Sequence, residues 1–224
     1  MVDANPNTNV TFKDKYFVVT TDIKVENADA LSLFPMATGN IQTGLSGTMD
    51  FKGHVLYWNP TANIAPFGSI NEGGILKNVV FVGSQDNYVT ACTACTDIKV
   101  HMVDQNVGTI TDVTCMSIAS FNGTTLLLNG QVTLGITSLN AGLISNVRLV
   151  HTGITDINTG VITDVAVIVE DCSDTVQSPD NYHNHLIGSY NTGYVKNVLV
   201  EAEQGETNVM LNPVSTHLGT FENL

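Results

Sequence analysis

The chain has 224 residues, 43% of them hydrophobic, and carries 21 Asp+Glu against 8 Lys+Arg for a formal net charge of -13. That length and apolar content suffice for one domain with a large core. A surface so acidic repels phosphate backbones and anionic headgroups, which argues against nucleic-acid and membrane-surface partners, and no apolar run approaches the ~20 residues that span a bilayer.

The first residues, Met1 to Thr8, lack the basic and apolar regions of a secretion signal. The expectation is either a natural start elsewhere or synthesis without such a signal, as for a virion component. Residues 10–25 alternate apolar and polar as strands do, and 47–56 and 65–70 read as further strands. Exposed loops at 26–46, 57–66 and 171–192 are expected to do the recognition, binding glycans if they bind any ligand.

From Gly74 onward a repeat governs the chain: glycine, any residue, an aliphatic or aromatic, any residue, Asn or Asp, then an aliphatic. It begins at Gly74, Gly108, Gly142, Gly160, Gly193 and Gly219, and 93–98 fits apart from its first residue. The anchoring Asn or Asp residues are Asn78, Asp97, Asp112, Asn146, Asp164, Asn197 and Asn223, spaced by 19, 15, 34, 18, 33 and 26. The two long gaps each fit two units, with degenerate coils expected around Gly130–Leu134 and within 176–190.

Alternate strand residues face one side. Two before the anchor stand Leu76, Cys95, Ile110, Ile144, Ile162, Val195 and Phe221, and one after it Val79, Ile98, Val113, Val147, Val165, Val198 and Leu224. Three after it stand Phe81, Val100, Cys115, Leu149, Val167 and Val200. All are apolar. A β-rich repeat with one buried face and no helical period specifies an all-β fold, a right-handed parallel β-helix (β-solenoid) of roughly ten coils. No linker interrupts the chain, so 1–224 is one solenoid domain, with irregular opening coils over 1–70 and regular repeats over 71–224. The anchors are expected at turns, their side chains stacked as a hydrogen-bonded ladder. Asp97 and Asp112, taken as consecutive, would strain that ladder by like-charge repulsion or hold a calcium ion. The last motif ends at Leu224, which leads to the expectation that the chain continues or stacks end-to-end on another subunit.

The run from Gly47 to Val79 contains the elements G-T-x-D-x-x-G-H, P-F-G-S-I and G-G-I-x-K-N-V. It resembles the opening of bacterial surface proteins with GLUG-type repeats, and the later glycine motifs are similar to that family's repeats. The resemblance implies an extracellular, adhesive or stalk-like module and transfers no catalytic residue.

Cys92 and Cys95 form a C-x-x-C without the second pair that a closed zinc site needs, and the register gives Cys95 and Cys115 packing roles. Glu170, Asp171, Asp174 and Asp180 are the candidate acids for a carbohydrate-active β-helix, which needs two carboxyls about 5–9.5 Å apart across a sugar; a solvated acidic loop is the bland alternative. His183 and His185 could supply half a metal site beside Asp180. Tyr57, Trp58 and Tyr182 could stack on a sugar ring, although a single Trp in such a fold could equally cap an open coil end. No phosphate loop, Ser-His-Asp arrangement or nucleotide fingerprint has a supporting context. The chain is therefore expected to be a structural or adhesive module at a cell or virion surface. A glycan or surface protein is the expected partner, with a tailspike-like or polysaccharide-degrading enzyme and a laterally or end-to-end self-associating subunit as the alternatives.

Overall fold

A computed structural model of the chain describes residues 12–28, 44–60, 64–84, 97–118, 131–150, 152–169, 187–202 and 214–223. All the regular structure they contain is β, in two sheets whose strand pairings are parallel throughout. Ten strands make the first sheet. Its main path runs β1 (Tyr16–Val18), β3 (Thr48–Asp50), β6 (Ile75–Ser84), β8 (Thr109–Ile118), β10 (Leu143–Val150), β12 (Val161–Val169), β14 (Tyr194–Ala202) and β16 (Thr220–Glu222). Beside it, β2 (Ile23–Ala28) pairs with β4 (Val55–Pro60), which pairs with β6. The second sheet has six strands: β5 (Phe67–Ile70), β7 (Asp97–Asn106), β9 (Gln131–Asn140), β11 (Thr155–Asn158), β13 (Ile187–Asn191) and β15 (Val214–His217). From β5 onward the chain passes alternately between the sheets, and each strand pairs with the one before and after it in its own sheet. Among the described residues no helix is long and apolar enough to cross a membrane.

This alternation corrects the expected spacing. Asn78, Asp112 and Asn146 stand 34 residues apart, yet β6 pairs directly with β8 and β8 with β10. Each long interval is one passage through the second sheet plus a long connection, not two repeats. Gln131 to Leu134, expected as a degenerate coil of the same series, lie in β9 of the second sheet. The match at 93–98 is likewise no member of the series: Asp97 opens β7, opposite Gln131. Its missing glycine was the distinguishing mark.

The glycine is demanded by the corner that returns the chain to the first sheet. Two residues turn five of these corners, Val107-Gly108, Ala141-Gly142, Thr159-Gly160, Thr192-Gly193 and Leu218-Gly219, and four, residues 71–74, turn the first. Successive corners lie so close that a Cβ on Gly142, Gly160, Gly193 or Gly219 would fall 2.2 Å from the carbonyl oxygen of the preceding glycine. Those carbonyls accept the next N–H along the stack, as Gly108 O does from Leu143 at 2.9 Å. Close approach, rather than a left-handed φ, excludes any side chain there. The opposite connections, from the first sheet to the second, span 85–96, 119–130, 151–154, 170–186 and 203–213. They absorb the variation in repeat length.

Inside, the expected columns form. One runs Phe17, Met49, Leu76, Ile110, Ile144, Ile162, Val195 and Phe221. Another runs Ile23, Leu56, Phe81, Cys115, Leu149, Val167 and Val200, well buried from Leu56 to Val167 and opening to solvent at Val200. A fully buried polar line accompanies them. Asn106, Asn140, Asn158 and Asn191 are in register, and each Nδ2 donates to the next Oδ1 at 2.8 Å. Buried amides must be paired; here only the two end atoms, Asn106 Oδ1 and Asn191 Nδ2, lack a hydrogen-bond partner among the described residues. The signal was present in the sequence, since each of these asparagines stands two residues before a motif glycine.

Candidate functional site

The outer face of the first sheet is shaped by its anchors. Asn78, Asp112, Asn146, Asp164, Asn197 and Asn223 all adopt left-handed backbone conformation, with φ between 52° and 57°. Asn and Asp tolerate that region far better than β-branched or bulky residues. Backbone pairing skips the anchor: Ser145 pairs with Thr163, then Val147 with Val165. The bend lets residues three apart, such as Ile144 and Val147, both enter the core.

Outside, the bends align as a shallow, open groove across the strands. One section, about 600 Å³, has Asp112, Asn146, Asp164 and Asn197 along one wall. Thr114, Arg148, Ala166 and Leu199 line the other. Asp112 and Thr114 also belong to a second section of about 450 Å³, which continues to Asn78, Val80 and Lys52.

The anchor wall is a ladder, but not a continuous one. Asn78 Nδ2 donates to Asp50 Oδ1 at 2.8 Å, Asn146 Nδ2 to Asp112 Oδ1, Asn197 Nδ2 to Asp164 Oδ1 at 2.8 Å, and Asn223 Nδ2 to Asn197 Oδ1 at 3.0 Å. Asn and Asp alternate from Asn78 to Asn197, so the expected like-charge contact does not arise. Asp112 and Asp164 are two strands apart, roughly 10 Å at the usual inter-strand spacing. The Asn197 amide, helped by the Thr163 hydroxyl, lowers the pKa of Asp164. Ser145 Oγ donates to Thr111 Oγ1 at 3.0 Å, adding a hydroxyl pair beside the wall.

Asp50 closes the low-numbered end of this ladder. Its buried carboxylate accepts from Tyr16 Oη at 2.6 Å, Asn78 Nδ2 at 2.8 Å and Lys52 N at 2.9 Å, with Lys52 Nζ at 3.1 Å and Lys77 Nζ at 3.7 Å. Burial pushes its pKa up. The hydrogen bonds from Tyr16, Asn78 and Lys52 outweigh that and hold the carboxyl well below the usual range. This is a structural anion, fully engaged by its own neighbours.

The expected site residues fare unevenly. Trp58 is fully buried, packed in the core with its Nε1 donating to Ile64 O at 2.8 Å, so its ring has no face for a sugar. Tyr57 is half-buried, with Lys24 Nζ 5.4 Å from its ring centroid. Asp97 and Asp112 lie on different sheets and form no shared calcium edge; Asp112 instead accepts from Asn146 and Thr111. Cys115 is core, as the register required, and burial pushes its thiol up to about 12 against an opposing hydrogen bond from Thr152. Glu170, Asp171, Asp174, Asp180, Tyr182, His183 and His185 lie outside the described residues, as do Cys92, Cys95 and Cys172.

One pair had no sequence signal. His101 Nε2 stands 3.6 Å from Asp156 Oδ1, both buried, on strands separated by β9. Gly135 makes this possible, because a Cβ there would press on His101 Cδ2 at 3.2 Å. Nearby Asp104 has its pKa raised by burial, partly opposed by His101.

Chemically, the groove offers hydrogen-bonding groups along one wall and mixed polar and apolar surface along the other. Its two carboxylates share one wall, whereas glycoside hydrolysis needs carboxyls flanking the bond. Among the described residues no three His, Cys, Asp or Glu gather as a metal site. In comparisons with known proteins, no family model, no curated protein and no solved structure matches the chain.

Proposed function

We propose that the chain is a right-handed parallel β-solenoid that serves as a structural or adhesive module at an extracellular, cell or virion surface, in the manner of the GLUG-type repeat proteins it resembles. Crossovers between parallel strands of one sheet are right-handed in about 98% of cases, which supports the hand. The observation that carries the role is the open groove on an uninterrupted stack. The interior is filled by continuous columns, while the outer face offers a long, shallow surface with one polar wall and one of mixed polar and apolar residues. A small-molecule enzyme would instead favour an enclosed pocket with convergent groups.

The test is retention against degradation. Immobilised protein should retain soluble polysaccharides from a broad panel without releasing reducing ends. Sustained release of reducing ends would replace this proposal with the carbohydrate-active one.

A further inference from the structure

We infer that the groove along the anchor ladder is the binding site, and that its ligand is an extended, neutral glycan lying across the strands. This rests on the proposed role as a binding module and assigns that role to the ten-stranded sheet rather than to the connecting loops.

Donors and acceptors along the anchor wall do not balance. Asn78 stands between Asp50 and Asp112, and Asn146 between Asp112 and Asp164, along the stack. A planar amide donates to one side and presents its oxygen to the other. Asn78 donates to Asp50 and Asn146 to Asp112, so the steps from Asn78 to Asp112 and from Asn146 to Asp164 have oxygen against carboxylate. Turning either amide over only moves the bare step to its other side. Thr111 and Thr163 already donate to the second carboxylate oxygens of Asp112 and Asp164, so the acceptors that call for an outside donor are the amide oxygens of Asn78 and Asn146, which fall inside the two groove sections.

The facing wall narrows the ligand's chemistry. Thr114 and Arg148 offer donors, while Ala166 and Leu199 offer apolar surface, with Leu199 57% exposed. A ligand must then supply donors to one side, acceptors to the other, and an apolar face between. Sugar rings do all three. A polyanion meets the carboxylates of Asp112 and Asp164, and the net charge of -13 works against it. A basic peptide suits the oxygens but leaves Arg148 facing like charge. The geometry fits as well, because the wall repeats with the strands at ~4.8 Å, comparable to one ring of an extended glycan. An open groove admits such a chain from the side without a lid.

The test is calorimetric titration of the full chain with cellohexaose, mannohexaose, an oligogalacturonate and oligolysine, repeated on Ala166→Arg and Leu199→Ser. Both substitutions lie on outward positions, and unchanged melting temperatures check the fold. The expected result is binding of a neutral hexasaccharide that weakens tenfold or more in both variants. Wild-type binding that both variants retain would overturn the groove while leaving the adhesive role standing. Preference for oligolysine or oligogalacturonate would overturn the ligand class. No saccharide binding by the wild type would overturn the neutral-glycan groove, while the adhesive role stands or falls separately on the polysaccharide panel.

Discussion

Replacing Gly142 by alanine tests the corner geometry most directly. The added Cβ would lie 2.2 Å from Gly108 O, 2.7 Å from Val107 C and 2.8 Å from Val107 O, where ordinary contact begins near 3.4 Å. Each of these atoms is backbone, and Gly108 O is bonded to Leu143 N, so nothing can rotate away. Relief must come from spreading two strands of the stack. Overpacking costs ~1–3 kcal/mol, and a rigid backbone neighbour places this substitution at the upper end, about 3 kcal/mol. For a chain of this size that is a loss of about 6–12 °C in melting temperature. Gly53 is the control, with φ +85° and no atom within 4 Å of the position a Cβ would take. Alanine there incurs left-handed strain of ~1–2 kcal/mol, offset by ~0.4–1 kcal/mol from a stiffer unfolded chain, for a net loss of about 0–6 °C. Thermal melts followed by far-ultraviolet circular dichroism compare the two. A Gly142→Ala protein melting within about 2 °C of wild type, or above Gly53→Ala, would refute the close-approach argument.

Asn140→Leu removes the side-chain partners of Asn106 Nδ2, which keeps only its bond to Leu143 O at 3.2 Å, and of Asn158 Oδ1, a buried acceptor whose loss of partner costs ~1–3 kcal/mol. Asn146→Leu, at an exposed anchor, should cost only about 1–2 kcal/mol from its left-handed backbone, and urea melts that reverse this order would contradict the burial assignment. Because the folded pKa of Asp50 is depressed below its ordinary 3.8, its stabilisation is present above that pH and is lost as pH falls below it toward the folded value. Asp50→Asn should lower stability at neutral pH and flatten the acid limb of a urea-midpoint profile; an unchanged acid limb counts against the carboxylate's role. Cys115, buried with its thiol pushed up to about 12, should resist iodoacetamide at about pH 8 in the native protein and react once unfolded, as peptide mapping would show. Native labelling at wild-type stability would contradict its burial.

The first sheet was legible because its residues repeat at period two around a glycine and an anchor. Ile144, Val147 and Leu149 could be placed in the core from one motif, and Cys115 moved from chemistry to packing by the same register. The second sheet was not legible in that way. Its strands carry no glycine-anchored motif, so no residue pattern announced that Asp97 and Gln131 are in register, although they stand 34 residues apart as Asp112 and Asn146 do. Asn106, Asn140, Asn158 and Asn191 were visible beside each glycine, but an asparagine near a turn ordinarily reads as solvated turn chemistry. Their burial depends on the corner packing against its neighbours. The groove depended on a further step, because a left-handed residue within a strand makes an external concavity that no residue-type pattern announces. Trp58 shows the opposite error: an aromatic beside a tyrosine suggested a ligand surface, whereas its pairing with Val25 and Gly83 closes both sides of its strand.

The buried asparagine line has a direction. Asn106, Asn140 and Asn158 each donate toward the higher-numbered strand, so the side-chain dipoles add, as peptide dipoles do along a helix. The positive end is Asn191 Nδ2 and the negative end Asn106 Oδ1, the two atoms without partners among the described residues. Mutual polarisation strengthens the bonds in the middle of such a chain. Duplicating an internal repeat would therefore add one more dipole and one more bond while leaving the number of bare ends unchanged. Lengthening from within carries no polar penalty, which makes tandem duplication a physically easy way for this architecture to grow.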